Sequence, residues 1–319
     1  MLLSSQTIKQ IANHCGFALC GIAKAEPLIA EKERFKSALA QDFHAKKEYL
    51  ERGVEKRFDP SLLLENCKSV IVCGFNYNME EKGEECGSGM CYGFQTCCTQ
   101  QEVKIAKYAQ IKDYHIFIKE KLEKLAQHLQ EEYGIVHYKT TVDSSTISEK
   151  AWAVQAGIGY YGQNGIIQTT LGSFVFIGTL LIDKEVDLYD DPDRNSCGNC
   201  SKCIAACPTK AIVHPYCVDS NLCISNINLN KNETDFTRIA KHGWLVGCDA
   251  CQILCPNNLH APMNEDAVAI RASFPENIQE ILEKLTPESF EEYFKDTVIY
   301  QFKYEGLKRR MHFFNLSGL

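Results

Sequence analysis

The sequence predicts a two-part chain, a mixed α/β (α+β) domain over residues 1–190 followed by a smaller domain over 191–262 organised by cysteines. Three observations predict it. Apolar runs rich in β-branched residues alternate with helical periodicities in the first part; an acidic connector, DKEVDLYDDPD, comes next; and cysteines then recur at fixed spacing from 197 to 255. A chain of 319 residues has room for about two ordinary domains, so 263–319 is expected as a helical segment packing back on the core.

Ser4 and Ser5 can cap a helix over 6–14 that stops at Gly16, and FALCGIA then reads as a short strand. Residues 28–52 are charged and helix-like. KSVIVCGFNY, 68–77, crowds β-branched residues into a short apolar run, as a buried central strand does. MEEKGEECGSGMCYGFQTCCTQ, 79–100, carries acidic residues, glycines and Cys86, Cys91, Cys97 and Cys98; it reads as a loop, either an idle insertion or one that caps the active site or binds a metal. Over 103–133 the spacing of Ile105, Tyr108, Ile111, Ile118, Leu122, Leu125 and Leu129 predicts the longest helix, closed by Gly134. IVHYKTTVD is expected as a strand and SEKAWAVQAG as a short helix ending at Gly157. GIIQTT and SFVFIGTLLID should form a hairpin turning at Leu171-Gly172.

The cysteine region is the most informative stretch. CGNCSKCIAACP has the spacing C-x2-C-x2-C-x3-C-P at Cys197, Cys200, Cys203 and Cys207, the bacterial ferredoxin signature for 4Fe-4S clusters. GCDACQILCP repeats it at Cys248, Cys251 and Cys255, with Leu245 where a fourth thiolate would stand. In two-cluster ferredoxins the last cysteine of each run ligates the other cluster. That rule assigns Cys197, Cys200, Cys203 and Cys255 to one cluster, and Cys207, Cys248 and Cys251 plus one intervening cysteine to the second. The candidates are Cys217 and Cys223; the about fifteen-residue return after Cys207 favours Cys223, since Cys217 follows Pro215 in a turn. The competing reading is a pair of zinc sites with four cysteines each, against which the two C-P endings argue.

The formal charge of -7 would repel nucleic acid as a whole, so a nucleic-acid partner needs a local basic patch. Lys303, Lys308, Arg309, Arg310 and His312 offer one, or else a solvated face. MLLSSQTIKQIANHCG lacks the long apolar core of a signal peptide and no apolar run reaches 18 residues, so the expectation is a cytoplasmic protein without membrane contact.

Electron-relaying clusters need a substrate site beside them, and TTVDSSTISEKAWAVQAGIGYYGQN is the candidate. It ends a strand at Asp143, opens a helix at Ser148 and closes on Gly157, Gly159 and Gly162. Asp143 could donate a proton if burial raised its pKa, or could merely cap a turn. The glycines do not match a dinucleotide fingerprint.

VDSSTISEKAWAVQAGIGYYGQN, LGSFVFIGTLL, CGNCSKCIAACPTKAI, CIS and GCDACQILCPNN, in this order, together resemble the epoxyqueuosine reductase family in its short form, without a helical-repeat tail. DPSLLLENCKSVIVCGFNY and IAKYAQIKDYHIFIKEKL are similar to that family's upstream segments. The resemblance implies a reductase that completes queuosine in the tRNA anticodon loop, using cobalamin and two 4Fe-4S clusters. It implies Asp143 as the proton donor, and a cobalamin contact set of Tyr108, His115, Lys150, Gly157, Tyr160, Gln163 and Asn164. Asp113-Tyr114-His115 begins like the cobalt-ligating D-x-H-x-x-G motif but has Ile118 at the glycine position, and the family's cobalt has no histidine ligand. Lys150, Tyr160 and Gln163 stand where the family usually has arginine, tryptophan and lysine, and Arg to Lys loses a bidentate fork. An electron donor such as flavodoxin or ferredoxin and a monomeric state are further expectations. Competing readings are another cobalamin and iron-sulfur reductase, corrinoid-processing or dehalogenase-like, or an electron-transfer partner without catalysis.

Overall fold

The computed structural model describes residues 3–79, 103–143, 146–270 and 278–314. Its strands are β1 (Leu19–Lys24), β2 (Ser69–Asn76), β3 (Lys104–Ile105), β4 (Tyr138–Thr141), β5 (Tyr160–Tyr161), β6 (Ile167–Gln168), β7 (Val175–Ile182), β8 (Ile212–His214), β9 (Cys217–Val218) and β10 (Trp244–Val246). The main sheet has the order β1-β2-β7-β4, and every pairing in it is antiparallel. The first domain is therefore α+β, with helices covering an antiparallel sheet rather than crossing over between parallel strands.

The expected central strand is β2, buried at all eight positions and paired on both edges. Its alternation splits the core. Ile71, Cys73 and Phe75 face the helices Ser5–His14 and Tyr114–Tyr133, while Val70 and Val72 face helix Glu149–Gln155 and the fully buried Trp152. Leu122, Leu125 and Leu129 on the long helix have no exposed surface, and burying each stabilises the fold by about 1.5–3 kcal/mol.

Several sequence expectations change here. The first helix occupies Ser5–His14, but its cap is not a local serine: Asp187, far along the chain, accepts the Ser5 N–H at 2.7 Å. Charged residues 28–52 form helix Ile29–Ala40 and a short turn Glu48–Glu51. The long helix begins at Tyr114 rather than at 103, because Asp113 caps it, taking the His115 N–H at 3.0 Å. Ile105 instead joins β3 and packs with Leu245 and Val246, whereas Ile111 enters the main core; a helical spacing had linked residues that serve two different cores. Gly134 closes the helix in the left-handed conformation, as expected. Residues on either side of Leu171-Gly172 do not make a regular hairpin either. β6 pairs back onto β5, β7 joins the main sheet, and only the bridge between Thr169 and Gly172 connects across the turn. The insertion with Cys86, Cys91, Cys97 and Cys98 lies outside the described residues.

The first and cluster regions interlock. β10, between the two cysteine runs, pairs in parallel with β3, and the C-terminal segment seals this seam with Leu282, Phe290, Phe294, Leu307 and Met311. Arg310 does not belong to a basic surface: it is 2% exposed and donates to the carbonyls of Asn228, Gly306 and Asn230, with Phe302 4.1 Å from its guanidinium. Lys308 and Arg309 remain exposed on the same helix, Lys303–Phe313. Among the described residues, no helix is long and apolar enough to cross a membrane.

Candidate active site

Asp143 stands just past the end of β4 with φ at 46°, a left-handed conformation that costs a non-glycine residue about 1–3 kcal/mol unless its surroundings hold it. Two contacts hold it. The Tyr114 hydroxyl donates to Asp143 Oδ2 at 2.5 Å, and the Asp143 N–H donates to Glu149 Oε1 at 2.7 Å. Glu149 is buried at the start of its helix, where burial and then the neighbouring Asp143 push its carboxyl well above the usual carboxylate range. Tyr114 is anchored by a ladder of rings: Tyr77 on Phe176 at 4.2 Å, Phe176 on Tyr114 at 4.2 Å, and Tyr114 on His115 at 4.1 Å between centroids. Burial first, then the charge of Asp143, drives the Tyr114 phenol far above its ordinary range, so it donates and does not ionise.

Solvent reaches Asp143 and Lys150, yet loss of solvation lowers the Lys150 ammonium against the opposing charges of Asp143, Glu149 and Cys223. Lys150 Nζ donates to the Gly165 carbonyl at 3.0 Å. Tyr108 shares these surroundings: burial, Asp249, Asp143 and Cys223 all raise its phenol. His115 is tied to Asp113 at 2.7 Å; burial disfavours its cation, but the hydrogen bond and charge of Asp113, with Asp143, prevail and raise its pKa. Tyr108, His115, Lys150 and Asp143 are thus brought together.

The thiols fall into two groups. Cys203 feels the charges of Cys197 and Cys255, and Cys255 those of Cys197 and Cys200. Cys251 feels Cys248, Cys223 and Cys207. Cys255 thus lies beside thiols of the first run, and Cys223 and Cys207 beside those of the second run. Cys217, in β9, is raised by burial and by Asp219, and no thiol is among the causes of its shift. No three described His, Cys, Asp or Glu side chains converge as ligands of a single metal ion. A cubane divides its four thiolates among separate irons, so it does not need such convergence. The donor chemistry fits a cluster: burial pushes Cys248 up to about 12 and Cys251 well above the ordinary thiol range, and thiols so desolvated become thiolates only against a strongly cationic centre. Cys207 Sγ also accepts the Ala211 N–H at 3.2 Å, a bond of the kind that tunes cluster potential.

The other four residues expected at the cofactor are engaged with the cluster loops or connector. Gln163 Nε2 donates to the Gly198 carbonyl at 3.1 Å and Asn164 Nδ2 to that of Cys251 at 3.4 Å. The Tyr160 hydroxyl accepts from Asn257 at 2.9 Å and feels Cys197 and Cys255. Gly157, at φ 70°, leaves room for the connector: a Cβ there would lie 2.6 Å from the Asp191 carbonyl oxygen. The candidate site itself is therefore Tyr108, Tyr114, His115 and Lys150 gathered around Asp143, whose charge each of them feels.

The family model described as epoxyqueuosine reductase QueG, DUF1730, matches residues 57–144, and that of a 4Fe-4S double cluster binding domain matches 196–258. The chain is 36% identical over 314 residues to the epoxyqueuosine reductase of Cyclobacterium marinum, covering 97% of this chain and 96% of the relative. The chain belongs to the epoxyqueuosine reductase family. Its fold is similar to the solved epoxyqueuosine reductase from Streptococcus thermophilus, at 25% identity and a TM-score of 0.80 over 97% of this chain and 80% of that one. It also resembles, at 24% identity and the same TM-score and coverage, an epoxyqueuosine reductase crystallised with an epoxyqueuosine-modified tRNA stem loop. Within this family frame, the first match contains Tyr108, Tyr114, His115 and Asp143, and the second contains both thiol groups. Glu149 and Lys150 lie beyond the first match. Sequence reasoning missed Tyr114 and Glu149 as site residues. The available signal was their position, one directly after the Asp113 cap and the other six residues past Asp143.

Proposed function

We propose that this chain is an oxidoreductase that converts epoxyqueuosine to queuosine in the anticodon loop of tRNA. The observation that carries it is that the Tyr114–Asp143 pair and Lys150 share one electrostatic environment with Cys223 of the second thiol group. Family membership, and the tRNA stem loop bound to the similar solved reductase, support the same substrate.

Removing an epoxide oxygen as water consumes two electrons and two protons. We assign Cys197, Cys200, Cys203 and Cys255 to one 4Fe-4S cluster and Cys207, Cys223, Cys248 and Cys251 to the other, with electrons drawn from a flavodoxin or ferredoxin and the protein acting as a monomer. Tyr108, His115 and Lys150 would hold cobalamin, the two rings and the aliphatic stem of the lysine offering apolar surface and their polar groups hydrogen-bonding partners. Cobalamin, when bound, supplies a strongly reducing metal centre for opening the carbon–oxygen bond. The chain's own residues do the rest. Tyr114 orients the Asp143 carboxyl, Asp143 delivers a proton to the departing oxygen, and Lys150 stabilises negative charge developing there. A positioned acid of this kind contributes about 10²- to 10⁴-fold in rate.

The test is mass spectrometry of tRNA nucleosides from a strain lacking the gene. Epoxyqueuosine should accumulate and queuosine vanish, with recovery on supplying the wild-type gene but not Asp143→Asn. Unchanged queuosine in the deletion strain would overturn the reading.

A further inference from the structure

We infer that Gln168 raises the reduction potential of the first cluster, that of Cys197, Cys200, Cys203 and Cys255, by donating a side-chain N–H to the Cys255 thiolate. It stands at the inner end of a polar chain that runs from Tyr160 through Asn257, and its role rests on the cluster assignment proposed above. The heavy atoms are in place. Gln168 is 1% exposed, and its Oε1 lies 3.5 Å from Cys255 Sγ and 3.4 Å from Asn257 Nδ2. Asn257 Nδ2 in turn lies 2.9 Å from the Tyr160 hydroxyl. The pairing of β5 with β6 sets Tyr160 opposite Gln168, and Gly162 leaves space for the glutamine: a Cβ there would sit 2.7 Å from Gln168 Nε2 and 3.0 Å from its Cγ.

The direction of these bonds depends on what the sulfur carries. As a free thiol, Cys255 donates to Gln168 Oε1, and Asn257 donates to both Gln168 and Tyr160. A cysteine bound to iron is a thiolate, which has no proton and can only accept. It repels a carbonyl oxygen, whereas half a turn of the glutamine amide exchanges its oxygen and nitrogen in nearly the same positions. One N–H then meets the sulfur and the other meets Asn257, whose amide turns likewise so that its Oδ1 accepts from Gln168 and from the Tyr160 hydroxyl. The contact given up, from Gln168 Nε2 to the Ile166 carbonyl, is 3.5 Å, at the limit of a hydrogen bond. The backbone N–H groups of Asn257 and Asn258 face the same sulfur, so the amide joins a set of donors. Reduction adds an electron to the cluster and negative charge to its sulfurs, and a donor stabilises that state more than the oxidised one.

Anaerobically reconstituted protein, titrated with reductant and followed by electron paramagnetic resonance, should show two midpoints. Cys223→Ser, which keeps only the first cluster, identifies the one that belongs to it. Gln168→Leu is close in size and has no donor. At the wild-type first midpoint it should leave the ratio of reduced to oxidised cluster about three- to tenfold lower, with the second midpoint and the iron content unchanged. Tyr160→Phe leaves Gln168 and every ligand in place and removes the hydroxyl that holds Asn257; it should move the same midpoint in the same direction by a smaller amount. An unmoved first midpoint in Gln168→Leu, or a shift confined to the second, would overturn the inference while leaving the cluster assignment and epoxyqueuosine reduction intact. If Gln168→Leu does not hold iron, an unmoved midpoint in Tyr160→Phe overturns it instead. Wild-type protein that takes up no sulfide would overturn the cluster assignment itself.

Discussion

Tyr114 Oη lies 2.5 Å from Asp143 Oδ2, joining the N-terminus of the long helix to the end of β4 across 29 positions of sequence. Hydrogen bonds to charged groups contribute about 1.5–3 kcal/mol, so the contact is strong enough to set the direction in which the Asp143 carboxyl points. Tyr114→Phe keeps the ring stack with Phe176 and removes only the hydroxyl. Reductase turnover should fall about tenfold to a hundredfold with iron content unchanged; turnover within twofold of wild type would show that Asp143 is oriented without it.

The thiol grouping makes a metal-content prediction. Reconstituted wild-type protein should hold about eight irons and eight sulfides, matching two 4Fe-4S clusters. Cys223→Ser should lose roughly half of the iron, while Cys217→Ser should keep it all. The reverse pattern in iron analysis and paramagnetic resonance would move the eighth ligand to Cys217.

Arg310 separates stability from RNA contact. Arg310→Ala leaves three carbonyls without their donor and a gap against Phe302, and should cost about 2–4 kcal/mol in denaturant unfolding. The exposed pair behaves differently. Lys308→Ala with Arg309→Ala should change stability by less than about 0.5 kcal/mol, yet weaken tRNA binding and flatten its salt dependence. An unaltered salt slope in the double variant would mean that the RNA docks on another face.

His115 and Asp113 give a pH test. The folded pKa of His115 is raised by its carboxylate partner, so the stability from the pair is full below the unfolded histidine value of about 6.5 and is lost as pH rises through the higher folded value. Nuclear magnetic resonance should find His115 titrating above the ordinary range, and lower in Asp113→Asn. Identical titration in the two proteins would refute the pairing.

Local spacing made much of this protein legible. The two C-P runs carried the ferredoxin pattern, the crossing rule put Cys255 with the first group, and the β-branched apolar run in 68–77 marked β2 as a buried central strand. Spacing misled where one periodic stretch served two cores, as with Ile105 and Ile111. It was also uninformative for side chains whose partners lie far away in sequence, such as the Asp187 cap on Ser5 and the carbonyls that bury Arg310.

By itself, the sequence determined which residues could ligate iron and which strand could form the centre of the sheet, because both depend on residue type at short, regular intervals. Only the tertiary structure decided that Asp143 is held by Tyr114 and Glu149, and that Cys223 lies beside Cys251. The reason is physical: a carboxyl group's proton affinity and a thiol's neighbours are set by burial and by charges a few ångströms away. Those distances are created when β4, the long helix and the cluster loops pack together, and no single segment contains them.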